Sequence, residues 1–213
     1  MTSLGKSIFV FTLIAAHFAH AKPVANWKFE SDGDGITIYS REHSDGLVEI
    51  RARMFAPTSY GAFLTLLEDT DNVPNWIDNV SLSRVVQQIS ASENIVYTQF
   101  AAPWPATDRD MVTYSQYTVD EIGFTLNIQD APSASFPEQE GYIRITSVKA
   151  TWTLQKLTNG STLIEYVAFA DPGGALPDWL ANKLAKESAR NTFKGLRAQL
   201  PNYQGWSHPN IRE

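Results

Sequence analysis

Two spacings of apolar side chains alternate along this sequence, one of period two and one close to four. Residues 36–39 (Ile-Thr-Ile-Tyr) and 47–54 alternate as half-buried strands do, and the polar stretch 43–46 joins them as a hairpin. Before them, Trp27 to Phe29 form a short element that ends in the Ser-Asp-Gly-Asp-Gly turn of residues 31–35. After Pro57, which suits a helix start, Tyr60, Phe63, Leu64 and Leu67 fall at helical spacing. Strand-like runs follow at 80–89, 95–100, 111–119, 124–128, 142–154 and 162–170, separated by short breaks, and predict an antiparallel meander. Pro177 then opens a helical run that Pro201 stops. Within it Leu180, Leu184, Ser188, Thr192 and Leu196 recur at four-residue steps as one stripe. The pattern predicts an α+β domain: an antiparallel sheet followed by a long C-terminal α-helix.

A strongly curved sheet cannot lie flush against a straight helix along its whole length, so a gap must be filled by side chains or by a ligand. Ser188 and Thr192, in the middle of the stripe, are small where a simple core helix carries Leu or Phe. Side-chain size alone leaves both fillings open.

Length and composition agree with one sizeable domain, since the chain has 213 residues, 43% of them hydrophobic and 19% charged. Residues 1–21 carry a lone Lys6, an apolar run from Ile8 to Phe18 and small residues Ala19 and Ala21, the pattern of a signal peptide cleaved near Ala21. That run is too short to span a bilayer, which needs roughly 20 residues. The expected product is an exported protein, periplasmic or secreted, with a domain over 22–200 and a tail over 201–213. Without the leader, 16 basic and 23 acidic side chains remain. A net negative domain is a poor partner for nucleic acid or for strong docking on anionic lipid, so membrane contact would be transient and apolar. There is no cysteine, which excludes thiol nucleophiles and thiolate metal sites. The expected state is a monomer.

Catalytic constellations are not visible. Beyond the leader the histidines are His43, in a turn, and His208, in the polar tail, and neither offers the pocket that a Ser-His-Asp triad needs. No spacing of His or carboxylates suggests a metal, and no cofactor is expected. Asp32 and Asp34 lack the other positions of a calcium loop and read as a turn. Asp171-Pro-Gly-Gly174 lacks the lysine of a phosphate loop and reads as a sharp strand-to-helix corner. In Asp108-Arg109-Asp110 an arginine between two acids can fix the preceding loop by a salt bridge. Trp104, between Pro103 and Pro105, either tips a lid or a membrane contact, or packs inward against the helix end, with Trp179 a candidate neighbour in either case. Alternation places Met111, Thr113, Ser115 and Tyr117 on one face of their strand.

Three segments in this order carry a resemblance: Pro103-Trp-Pro-Ala-Thr-Asp-Arg-Asp-Met-Val112, Pro137-Glu-Gln-Glu-Gly-Tyr-Ile-Arg144 and Asp171-Pro-Gly-Gly-Ala-Leu-Pro-Asp-Trp-Leu-Ala-Asn182. Across 27–200 the chain resembles the StAR-related lipid-transfer (START) family. The resemblance implies a helix-grip fold, a curved antiparallel β-sheet closed by the long C-terminal α-helix around an internal cavity that takes a lipid or other apolar small molecule without catalysis. It implies that Met111, Thr113, Ser115 and Tyr117, with the helix stripe, face the cavity, and that Arg109 and Asp110 close a loop bearing Trp104 over one end. Sterol-carrying members have a buried basic residue where Ser115 stands, paired to an acid on the preceding strand. Here that strand offers Val96, Tyr97 and Thr98, so the pair is missing. Two other readings are a cyclase-like enzyme of the same fold, with Tyr117 or Glu165 as the titratable group, and a ligand-responsive module signalling through the tail.

Overall fold

The computed structural model describes residues 26–132 and 135–211. The predicted leader lies outside the described residues. The chain runs β1 (Lys28–Gly33), β2 (Ile36–Glu42), β3 (Val48–Ala56), α1 (Tyr60–Glu68), then β4 (Val80–Ser90), β5 (Glu93–Phe100), β6 (Asp108–Val119), β7 (Phe124–Asp130), β8 (Tyr142–Arg144), β9 (Thr146–Lys156), β10 (Thr162–Asp171) and α2 (Asp178–Gln199). Short 3-10 turns at Val73–Asn75 and Leu200–Tyr203 follow α1 and α2. This is the helix-grip fold, and among the described residues no helix is long and apolar enough to cross a membrane.

Strand order is β1-β2-β3-β10-β9-β7-β6-β5-β4. The meander predicted from residue 80 onward is present, running β4-β5-β6-β7-β9-β10 with β8 off its path, and β1 to β3 form a wing joined to it where β10 pairs antiparallel with β3, bringing Ile164 opposite Met54. The hairpin β1-β2 turns at Asp34 and Gly35, whose φ angles of 55° and 64° suit a two-residue turn that needs positive φ at both positions. β1 thus runs through Ser31 to Gly33, which the sequence reading gave to the turn. Pro57 lies ahead of α1 and Ser59 caps it, its hydroxyl accepting from the Ala62 N–H at 3.0 Å.

The run 142–154 is not one strand. It breaks at Ile145, between β8 and β9, and the reason lies in what each half pairs with. β7 covers β6 from Thr113 to Val119, leaving its first residues open, and β8 fills that place in a parallel pairing of Tyr142 with Asp108 and Arg144 with Asp110. β9 must instead reach β7 and β10, so the chain steps sideways between them.

The core sits under the C-terminal half of α2, where Phe193, Leu196 and Leu200 pack with α1 and with Ile36, Met54 and Trp152. Phe193 stacks on Trp152 with ring centroids 5.6 Å apart. Gly195 is the point of closest approach: a Cβ there would lie 2.4 Å from the Trp76 carbonyl oxygen and 2.7 Å from its Cα. Gly195→Ala should raise helix propensity yet destabilise the fold by about 1–3 kcal/mol, because backbone must move apart. Urea denaturation measures the difference, and a stabilised variant would contradict this packing.

Of the predicted tail, the described residues 201–211 are folded against the domain. Tyr203, His208 and Ile211 are buried, and the Tyr203 hydroxyl donates to Asp69. Gln204 Nε2 donates to the Pro57 carbonyl at 3.2 Å, tying the segment to the start of α1. The apolar side of Ile211 supplies the burial that the polar composition of 202–213 concealed.

Candidate functional site

Between the N-terminal half of α2 and the sheet lies a cavity of about 460 Å³. The small residues of α2 explain why it stays open: Ala181, Ala185, Ser188, Ala189 and Thr192 border it, where larger side chains would have met the sheet. Opposite stand alternate residues of β5 and β6, with Trp152 and Ala150 from β9 and Tyr166 from β10. Burial pushes the Tyr166 hydroxyl up to about 12, the response of a phenol in an apolar surround.

Met111, Thr113, Ser115 and Tyr117 all lie on this wall, as do Leu184, Ser188 and Thr192. Leu180 and Leu196 do not, a departure from the expected stripe. An α-helix turns about 100° per residue, so each four-residue step advances about 40°, and a line from Leu180 to Leu196 winds to a different face. Leu196 is consequently in the core, Leu180 half buried outside the wall, and Thr192 is fixed by accepting the Asp78 N–H at 3.1 Å.

At one end of the cavity the three segments singled out in the sequence converge. Arg109, 8% exposed, donates to the carbonyls of Pro172 at 3.4 Å, Gly173 at 3.5 Å and Thr107. It does not pair with Asp108 or Asp110, so the loop is held through carbonyls and not by the expected salt bridge. Asp108 instead accepts the Ala102 N–H at 2.9 Å. Asp110, 1% exposed, receives Arg144 Nε at 2.7 Å and Nη2 at 3.0 Å, and Arg144 also donates to the Pro137 carbonyl at 3.1 Å. Gly173 and Gly174 have φ angles of 65° and 71°, and a Cβ on Gly174 would meet Ile143 Cδ1 at 2.9 Å. The glycine corner is thus needed both for its backbone and for the space beside β8.

Trp104 points outward, 92% exposed, with a cis peptide to Pro105, while its neighbours Pro103 and Ala106 reach the cavity wall. That exposure excludes the inward packing of Trp104, and Trp179, in the first turn of α2, is also exposed, at 69%. Glu165 also faces away from the cavity and pairs with Arg51 at 2.8 Å and Arg53 at 3.0 Å. Tyr117 donates to the Ala91 carbonyl at 3.1 Å, and burial raises its pKa. Among the described residues no group of His, Asp or Glu is arranged to hold a metal.

Two wall residues escaped sequence reasoning. The register of β5 on β6 sets Asn94 opposite Ser115, one position beyond the predicted strand start, so the partner of Ser115 is a neutral amide. Trp76, 3% exposed, follows the Val73–Asn75 turn and packs near Trp152 at a ring distance of 6.4 Å. Neither Trp76 Nε1 nor Asn94 Oδ1, both buried, has a hydrogen-bond partner.

The START domain model matches residues 22–205. Over 174 residues the chain is 29% identical to an uncharacterized protein of Pseudomonas aeruginosa, covering 81% of this chain and 86% of that one. It is 26% identical over 185 residues to human phosphatidylcholine transfer protein, with 84% and 86% covered. The crystal structure of a STAR-related lipid transfer protein from Xanthomonas axonopodis superposes with a TM-score of 0.75 at 28% identity, over 82% of this chain and 98% of that fragment. A helix-grip sheet, a hollow under the helix and a match across most of the sequence have one meaning together: this chain belongs to the START domain family.

Proposed function

We propose that the protein carries a lipid, or another apolar molecule of similar size, in the cavity beneath α2 and exchanges it with membranes without chemical change. The observation that carries this reading is the hollow of about 460 Å³, within the usual range of small-molecule sites and walled mainly by apolar side chains. Each methylene removed from water is worth about 0.8 kcal/mol, so a sixteen-carbon chain brings on the order of 10 kcal/mol into such an enclosure. Its escape into water is slow for the same reason, and a protein that substitutes for the membrane interior removes that barrier. The names of the transfer proteins among its relatives point the same way. We take residues 1–21 as a cleaved signal peptide, so that the carrier works outside the cytoplasm.

Exchange requires the cavity to meet a bilayer, and we assign that contact to the two exposed tryptophans, Trp104 in the loop whose Pro103 and Ala106 reach the wall and Trp179 in the first turn of α2. Transfer of a fluorescent lipid from donor to acceptor vesicles tests the function. The protein should accelerate it in proportion to its concentration; no acceleration with any lipid class would refute carriage. Trp104→Ala and Trp179→Ala should each weaken vesicle association about tenfold. Because both rings are largely in water, melting should stay within about 0.5 kcal/mol of the parent.

A further inference from the structure

Polar side-chain atoms without a partner fall into two kinds in this molecule. Trp76 Nε1, Asn94 Oδ1 and Arg53 Nε are sealed off by protein atoms, so no guest can touch them. The hydroxyls of Ser83, Thr98, Thr113, Ser115, Tyr166 and Ser188 belong to cavity-wall residues, have no hydrogen-bond partner among the described residues, and are not among the sealed atoms. β5, β6 and β10 are interior strands of the sheet, so the surface that their inward side chains keep is turned toward the hollow.

Four of these hydroxyls form one row across β4, β5 and β6. Ser83 stands opposite Thr98; Thr98 pairs with Met111 and so lies diagonal to Thr113; Ser115 follows Thr113 on the same face. Neighbours in such a row are about 5–8 Å apart, and a head group with a carbonyl and a hydroxyl a few bonds from each other bridges two of them. Thr98 and Thr113 are only 6% and 3% exposed, which leaves the cavity side as the place for a partner. The other walls differ. Tyr166 stacks on Trp152 beside Ala150 and Ala168, and Ser188 lies among Leu184, Ala185 and Ala189, each a lone hydroxyl in an apolar surface.

Buried polar groups are almost always hydrogen-bonded, and a serine or threonine hydroxyl both donates and accepts. An alkyl chain laid over the row would strand all four hydroxyls, whereas the walls of β9, β10 and α2 give up little to it. Resting on the lipid-carrier reading, we propose that the β4–β6 wall is a subsite for the junction of an acyl lipid, taking the ester or amide carbonyl and a nearby hydroxyl, while the acyl chain runs against Trp152, Ala150, Ala168 and the small residues of α2. Thr113, in the middle of the row, and Ser115 are the residues that fix this orientation. Monoacylglycerols and N-acyl amino alcohols have the required chemistry.

The orientation is tested on the full-length protein with two monopalmitoylglycerol probes, one carrying a photoreactive diazirine beside the ester and the other at the far end of the chain. After irradiation and peptide mapping, the ester probe should label mainly residues 80–119 and the chain-end probe mainly 146–199. Inverted labelling, or the same pattern from both, overturns the subsite and leaves the carrier reading standing. Competition between monopalmitoylglycerol and hexadecane, read by native mass spectrometry, tests the two residues. Thr113→Val combined with Ser115→Ala should lower the acylglycerol-to-hexadecane ratio about a hundredfold, tenfold for each hydrogen bond lost. Hexadecane loading should hold, and melting of the empty variant should hold or rise, because two unpartnered hydroxyls are gone. An unchanged ratio, or equal loss of both guests, overturns the role of these hydroxyls. Failure of both guests to load the parent contradicts carriage itself. The labelling of the parent protein decides the orientation without the variant.

Discussion

Replacing Arg144 with methionine lowers the stability of the fold by about 3–5 kcal/mol, the cost of leaving a buried carboxylate without its partner. Asp110 is 1% exposed and receives two hydrogen bonds from this guanidinium. The same side chain holds the Pro137 carbonyl, so its loss also frees the segment that leads into β8. Asp110→Asn added to Arg144→Met should recover part of the loss, because an amide tolerates isolation better than a charge. Urea denaturation of the two variants measures both steps. Equal stability of Arg144→Met and the parent would show that the pair is not the anchor of this end of the cavity.

Ser188→Trp should reduce lipid loading by about a hundredfold while the melting midpoint holds or rises. Ser188 sits on the wall midway along α2, where the large indole would occupy the space meant for the guest. Excluding roughly four methylenes from burial costs about 3 kcal/mol of affinity, which is the hundredfold. Filling an empty apolar hollow commonly stabilises a fold by about 0.5–2 kcal/mol. The opposed signs separate a blocked cavity from a damaged protein, and equilibrium titration with a fluorescent acyl lipid beside thermal melting reads both.

Much of this architecture is legible in the sequence, since period-two and helical spacings report burial directly. β2, β3 and β10 fall where the alternation puts them, and parity groups Met111, Thr113, Ser115 and Tyr117 on one face of β6, while the family resemblance supplied which face looks into the cavity. The pairing of β3 with β10 across the sheet was hidden, because no short turn joins them and only a tight turn fixes register locally. The same reason concealed Asn94: the connection from β5 to β6 is a long loop, so which residue stands opposite Ser115 is set by tertiary packing. The helix stripe failed at its ends because a period of four drifts around a helix of 3.6 residues per turn. The three marked segments pointed to the end of the cavity, but not to their bonds, since Arg109 meets carbonyls, which any sequence could supply. His208 reads as tail because its burial depends on Glu68, 140 residues away.

The most direct measurement is the native mass of the full-length protein isolated gently from a lipid-rich host, before and after extraction with organic solvent. The account predicts an excess mass equal to one lipid molecule, released by extraction and absent from Ser188→Trp. A protein that emerges repeatedly at its bare polypeptide mass, or a Ser188→Trp variant that retains the same lipid, would contradict it.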